Sequence, residues 1–224
     1  MTLIVALEAK DCFVMAADSL TTLSGRAVGC DTQKVHQVSV MSMAATAGRS
    51  HLSGRYWSQI LDSFLRNWAG PSPAQTAADL HPFLEAEIAQ VPRVHGNCSG
   101  GNTILVAGFD LTKRGFDVWS IGRVGDRRFF EAPVPVQPAT PPARVWWLGD
   151  TQHLQAHIVQ TAANYAAGMS EAHAIAFAEK AIVDGTAIAR GLGIITIGGN
   201  YIYVAVATQA GVFFSRRLSG VPCP

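Results

Sequence analysis

Leu3-Ile4-Val5-Ala6-Leu7 and Phe13-Val14-Met15-Ala16-Ala17-Asp18 are two short apolar runs separated by the polar stretch Glu8 to Cys12. Apolar runs of strand length around a polar break read as a β-hairpin. With the turn near Lys10, paired residues have numbers summing to about 20, because antiparallel register is fixed by where the turn sits. Asp18 then falls beside Thr2 at the open end of the hairpin. A second strand pair is expected at Lys34 to Val38 and Ser42 to Ala47, ending at Gly48.

From Ser50 to Trp68, the residues Leu52, Trp57, Ile60, Leu61, Phe64, Leu65 and Trp68 recur at helical spacing, and Gly70-Pro71 supplies a stop. Ala74 to Gln90 repeats the pattern through Leu80, Phe83, Leu84 and Ile88, with Pro82 marking a kink or a later start. Thr103 to Phe109, Phe116 to Ile121, Arg127 to Phe130 and Arg144 to Leu148 read as strands, set apart by glycine turns or the proline-rich Pro133 to Pro142. Asp150 to Ala167 and Ser170 to Arg190 form a second helix pair, with Gly168 as a C-terminal cap and Ser170 as an N-cap. Tyr201 to Thr208 and Val212 to Arg216 close the chain as strands. Two antiparallel sheets stacked face to face and flanked by the helix pairs would bury every apolar face, so the expectation is an α+β, four-layer αββα sandwich.

The 224 residues are read as a single domain, 1–224, since no stretch resembles a linker. The chain is 49% hydrophobic and only 15% charged, a balance that mildly favours an oligomer able to cover apolar surface. A net charge of +1 without a Lys/Arg run gives no footprint for nucleic acid or for a membrane surface. The first residues lack a secretory pattern and no apolar segment reaches spanning length, so a cytoplasmic location is expected. Cys12, Cys30, Cys98 and Cys223 lack metal-ligand spacing and read as reduced thiols. His153 and His157 stand one helical turn apart without a third ligand, so neither a metal site nor a cofactor is expected.

A threonine hydroxyl needs a base, and the α-amine of the same residue can serve if that threonine is N-terminal. Thr2 qualifies once Met1 is removed, and a small second residue is the kind that methionine removal tolerates. Lys34, in an apolar strand context, could lower the proton affinity of that amine, and Asp18 would hold the lysine. Gly48 ends Ala45-Thr46-Ala47-Gly48, where a missing side chain lets a backbone N–H approach an oxyanion.

Taken together, Thr2-Leu3-Ile4-Val5, Met15-Ala16-Ala17-Asp18-Ser19, Lys34-Val35, Thr46-Ala47-Gly48 and Leu105-Val106-Ala107-Gly108-Phe109-Asp110 resemble the successive motifs of proteasome β-type subunits. The resemblance covers nearly the whole chain and leans towards the bacterial proteasome homologues. It implies the N-terminal nucleophile (Ntn) hydrolase fold, with Thr2 as nucleophile, Asp18 and Lys34 as its supporting pair, and Gly48 as oxyanion donor. It implies substrate binding by Thr22 and Gly48 as an added strand, and a polar, uncharged pocket lined by Thr21, Thr32, His36, Thr46, Ser50 and Gly54. Ser19 and Asp150 are candidate supporting residues.

The implied activity is threonine-type endopeptidase action within a homo-oligomeric double ring, on unfolded protein or peptide, with an unfoldase cap as a candidate partner. Two alternatives stay open: a weak or inactive ring that acts as a scaffold or binding module, and a small-molecule amidase with the same chemistry. Gly149-Asp150-Thr151 stands where the family has a Gly-Ser-Gly turn, Leu20 where an Arg is frequent, and no Asp and Ser pair follows the last helix.

Overall fold

The computed structural model describes residues 2–23, 26–48, 51–52, 55–65, 70–90, 101–123, 129–139, 141–149, 151–194 and 197–220. In chain order the elements are β1 (Leu3–Glu8), β2 (Phe13–Asp18), β3 (Thr21–Leu23), β4 (Arg26–Gly29), β5 (Val35–Gln37), β6 (Ser42–Gly48), β7 (His51–Leu52), β8 (Arg55–Tyr56), α1 (Trp57–Leu65) and α2 (Pro73–Ala89). They continue with β9 (Asn102–Asp110), β10 (Gly115–Arg123), β11 (Val134–Pro135), β12 (Val145–Gly149), α3 (Gln155–Ala163), α4 (Glu171–Gly191), β13 (Tyr201–Thr208) and β14 (Gly211–Leu218). The chain is thus mixed α+β, with several antiparallel sheets and four helices among the described residues.

One five-stranded sheet has the order β12-β1-β2-β13-β14 and the other β11-β10-β9-β6-β5. Alternation along β1 divides its side chains between two clusters. Leu3, Val5 and Leu7 pack with Ile158 of α3 and with Ala178 and Ile182 of α4. Ile4 and Ala6 join Phe13, Met15, Met43, Ala45 and Leu105 in a cluster drawn from both sheets. A third cluster sets Ala44, Ile104, Val106 and Ile121 against Trp57, Ile60 and Leu61 of α1 and Leu80 and Leu84 of α2. Each fully buried large side chain contributes about 1.5–3 kcal/mol relative to exposure. No helix among the described residues is long and apolar enough to cross a membrane.

The β1–β2 hairpin forms with its register moved by one residue. Ile4 faces Ala17 and Glu8 faces Phe13, so paired numbers sum to 21. The turn closes from Ala9 N–H to the Cys12 carbonyl at 2.8 Å, which centres it between Lys10 and Asp11 rather than on Lys10. Asp18 therefore stands level with Leu3, one residue from Thr2.

The first helix is shorter than its periodicity suggests. His51–Leu52 and Arg55–Tyr56 pair as short strands, and α1 starts only at Trp57. Residues 127–128 of the strand expected at Arg127 to Phe130 lie outside the described residues, and 129–130 are not in a strand. The third helix begins at Gln155 and ends at Ala163, so Gly168 sits in a turn beyond it with φ +80° and does not cap it. Ser72 and Ser170 are side-chain N-caps of α2 and α4, accepting from Gln75 and His173 N–H. Pro82 lies inside α2.

Gly108 of β9 faces Ser42 of β6, and a Cβ there would stand 2.0 Å from the Met41 carbonyl oxygen. Only a bare backbone allows the strands this approach. Gly108→Ala is expected to destabilise the fold by about 1–3 kcal/mol, the usual range for overpacking. Urea unfolding midpoints check this, and an unchanged midpoint would contradict it.

Candidate active site

Thr2 immediately precedes β1 and is 4% exposed. The chain beside it is fixed from two sides. Leu3 faces Gly149 of β12, and a Cβ at Gly149, whose φ is +107°, would stand 1.8 Å from the Thr2 carbonyl oxygen. Position 149 can therefore hold only glycine without moving Thr2. On the other side, Leu3 N–H donates to Asp18 Oδ1 at 2.8 Å.

Asp18 is 1% exposed and accepts three hydrogen bonds from three parts of the chain. Besides Leu3, Lys34 Nζ donates to Oδ1 at 2.8 Å, and Gly198 N–H donates to Oδ2 at 3.0 Å. Lys34 is itself 5% exposed. Burial pushes its ammonium below the ordinary lysine value, and the charge and hydrogen bond of Asp18 pull it back up. The two side chains form a buried ion pair directly behind the N-terminal strand.

Lys34 is positioned by β6: its carbonyl accepts from Thr46 N–H at 3.0 Å, and Val35 next to it faces Ala45 of the same strand. Gly48 ends β6 with φ +107°. A Cβ there would meet the Gly101 carbonyl oxygen at 2.2 Å, so glycine is required by the neighbouring chain as well as by the dihedral. Thr2, Lys34 and Gly48 line one cleft of about 270 Å³.

Of the residues expected around that cleft, Thr21, Thr22, Thr32 and Thr46 line it. Thr21 donates its hydroxyl to that of Thr32 at 2.7 Å, tying two of them together. Ser50, Gly54 and Asp150 lie outside the described residues. Ser19 is fully buried and acts as a brace, its Oγ accepting from Tyr201 N–H at 3.0 Å and donating to the Cys30 carbonyl at 2.5 Å.

Three expectations are corrected. His36 does not line the cleft. It is 2% exposed with Nε2 lacking a partner, because His36 faces Ala44, which packs with α1 and α2, and α1 covers β5. The cleft is not free of charge, since Asp31 stands in its wall. Cys30 is not a reduced thiol but disulfide-bonded, its partner lying outside the described residues; separation along the chain says nothing of Cα distance through the fold. Cys12 is free and buried.

Several residues in or around the cleft escape sequence reasoning. Tyr56, Trp57 and Ser58 border the cleft where α1 begins, a start that helical spacing from Ser50 onward does not reveal. Gly198 and Gly199 look like a plain turn, yet the Gly198 carbonyl accepts from Ser19 and Leu20 N–H at 3.0 and 2.8 Å. A Cβ at Gly199 would stand 2.4 Å from Ser19 Oγ. The strand-end pattern Gly-Gly before an apolar run is the one signal that could have found them. Comparison with known proteins supplies no family: no protein-family model matches this chain, and no curated protein matches it.

Burial pushes His36 down to about 4 from 6.5, with the Asp62 charge and a Gln33 backbone bond opposing. Between those values the unfolded chain binds a proton that the folded protein refuses. Stability is therefore fully present above pH 6.5 and lost as pH falls towards 4, by up to about 3 kcal/mol. Denaturation at pH 7, 5 and 4 should show that loss, reduced in His36→Gln; equal pH dependence in the variant would contradict it.

Proposed function

We propose that this chain is a proteasome-type Ntn hydrolase subunit that cleaves peptide bonds with Thr2 after loss of Met1. The observation that carries the reading is the shared cleft of Thr2, Lys34 and Gly48, with Lys34 held by buried Asp18 at 2.8 Å. The two-sheet cluster, and the two clusters that join a sheet to a helix pair, support the four-layer αββα arrangement of that fold class.

In this reading Thr2 Oγ attacks the substrate carbonyl while the α-amine of Thr2 takes the hydroxyl proton. The buried lysine charge nearby disfavours a second positive charge, so the amine rests unprotonated and ready to act as base. Gly48 N–H stabilises the tetrahedral oxyanion. Collapse breaks the C–N bond, and the leaving amine carries away the proton held by the α-amine. Water then attacks the Thr2 ester, giving one proton to the α-amine, and release of the acid returns that proton to Thr2 Oγ. Thr22 and Gly48, which line the cleft, offer backbone groups to an extended peptide.

A homo-oligomeric double ring with an inner chamber belongs to the same proposal, as does an unfoldase cap. Exposed Val159, Ile188 and Leu192 about the second helix pair, and Phe213, Phe214 and Leu218 on edge strand β14, support burial between subunits. A cytoplasmic location belongs to the same proposal; the Cys30 disulfide argues the other way, because such bonds persist where thiols are not kept reduced. A weak or inactive ring is the second reading. It is favoured by the stretch after α4, where residues 192–199 contain neither the Asp nor the Ser common in the family.

Protein lacking Met1 is expected to form a covalent adduct with a peptide electrophile at Thr2, read by intact mass, and Thr2→Ala to lose both adduct and turnover while assembling normally. Turnover retained in Thr2→Ala would overturn the assignment. Cleavage of simple amides but not peptides, by a particle too small for a chamber on native mass, would favour an amidase instead.

A further inference from the structure

The described charged residues of the cleft wall are Lys34 and Asp31. They differ in what neutralises them. Lys34 is spent on Asp18 at 2.8 Å. Asp31 makes no ion pair among the described residues: its Oδ1 accepts from Asn200 Nδ2 at 2.9 Å, and Oδ2 takes part in no hydrogen bond.

Asp31 is nevertheless held in place. Its carbonyl accepts from the Tyr203 hydroxyl at 2.9 Å, Asn200 N–H donates to the neighbouring Cys30 carbonyl at 2.9 Å, and Thr32 N–H donates to Ser19 at 2.9 Å. The Arg216 guanidinium feels the Asp31 charge but lies over the Tyr201 ring at 4.3 Å and makes no ion pair with the carboxylate. A fixed carboxylate with one unused oxygen thus gives the described cleft wall its net charge. Gln33 beside it offers an amide oxygen, and the half-exposed ring of Tyr56 borders the same cleft, a surface suited to a cation.

We propose that the cleft selects peptides presenting a cationic side chain, recognised by Asp31. The inference rests on the peptidase reading of the site and names its substrate class. An anionic side chain would be repelled, and an apolar one would leave the carboxylate no gain over water.

The test uses two readouts. N-acetylated peptides carrying Arg, Leu or Glu before the scissile bond are compared by kcat/KM with wild-type protein lacking Met1, with Arg also moved two residues upstream and with a free-amine set, which separates the cationic sources. Non-cleavable analogues of the same peptides are titrated into Thr2→Ala by calorimetry. Arg should lead Leu by about fivefold to tenfold, between the values of an exposed ion pair and of a charge-assisted hydrogen bond. Asp31→Asn should reduce that ratio to near unity, and Asp31→Lys should turn the preference to Glu. Melting temperatures and native mass of both variants exclude misfolding as the cause.

Thr2-dependent cleavage without an Arg preference, or a preference that survives Asp31→Asn, overturns this inference and leaves the peptidase reading intact. Asp31-dependent Arg binding without cleavage overturns the peptidase reading and leaves Asp31 as the recognition residue. Neither binding nor cleavage overturns both. A preference confined to the free-amine peptides also overturns it, by assigning Asp31 to a substrate N-terminus.

Discussion

Lys34 and Asp18 meet at 2.8 Å in a place almost closed to water, and the geometry around Thr2 is organised about that pair. Stripping two ions of solvent costs several kcal/mol each, recovered only when the pairing geometry is good and the remaining lone pairs are used. Asp18 uses three of its roughly four acceptor sites, on Lys34, on Leu3 N–H and on Gly198 N–H. Those bonds join β1, the segment entering β5, and the segment entering β13. Removing either ion would strand the other, which typically costs about 3–5 kcal/mol. The pair carries no net charge and is a structural knot, whose lysine end is the positive pole the proposal sets beside the base.

Around this knot the neighbouring backbone is held by atoms too close for any side chain. Gly149 lies against the Thr2 carbonyl, Gly48 against that of Gly101, and Gly199 against Ser19 Oγ. Each approach fixes one wall of the site: the proposed nucleophile, the proposed oxyanion donor, and the Ser19 brace. Electrostatic catalysis needs donors and charges already in position before the reaction, and close-packed backbone meets that need better than long side chains do.

What the sequence made legible follows from what periodicity encodes. The unbroken apolar run Leu3 to Leu7 marks a strand covered on both sides and the helical spacing of Leu80 and Leu84 marks one covered helix face, and these side chains are all buried. The hairpin brought Asp18 to the N-terminus, with a one-residue slip caused by a turn whose hydrogen bond runs from Ala9 to Cys12. Backbone roles leave no such trace. Gly198 acts through its N–H and carbonyl, Cys30 through its carbonyl to Ser19, and neither role constrains residue type in a way that spacing can reveal. His36 is buried beneath α1, a tertiary contact that spacing does not carry, and Asp31 lies in a loop without periodicity.

The account stands or falls on the amine of Thr2 serving as a base next to a buried cation. Its most direct measurement is the pKa of that amine, read by nitrogen NMR on protein lacking Met1 and labelled at threonine. Burial and Lys34 should hold it clearly below the ordinary α-amino range of about 7.7–8.0. A value at or above that range, or a working particle in which Met1 still blocks the nitrogen, would contradict the mechanism.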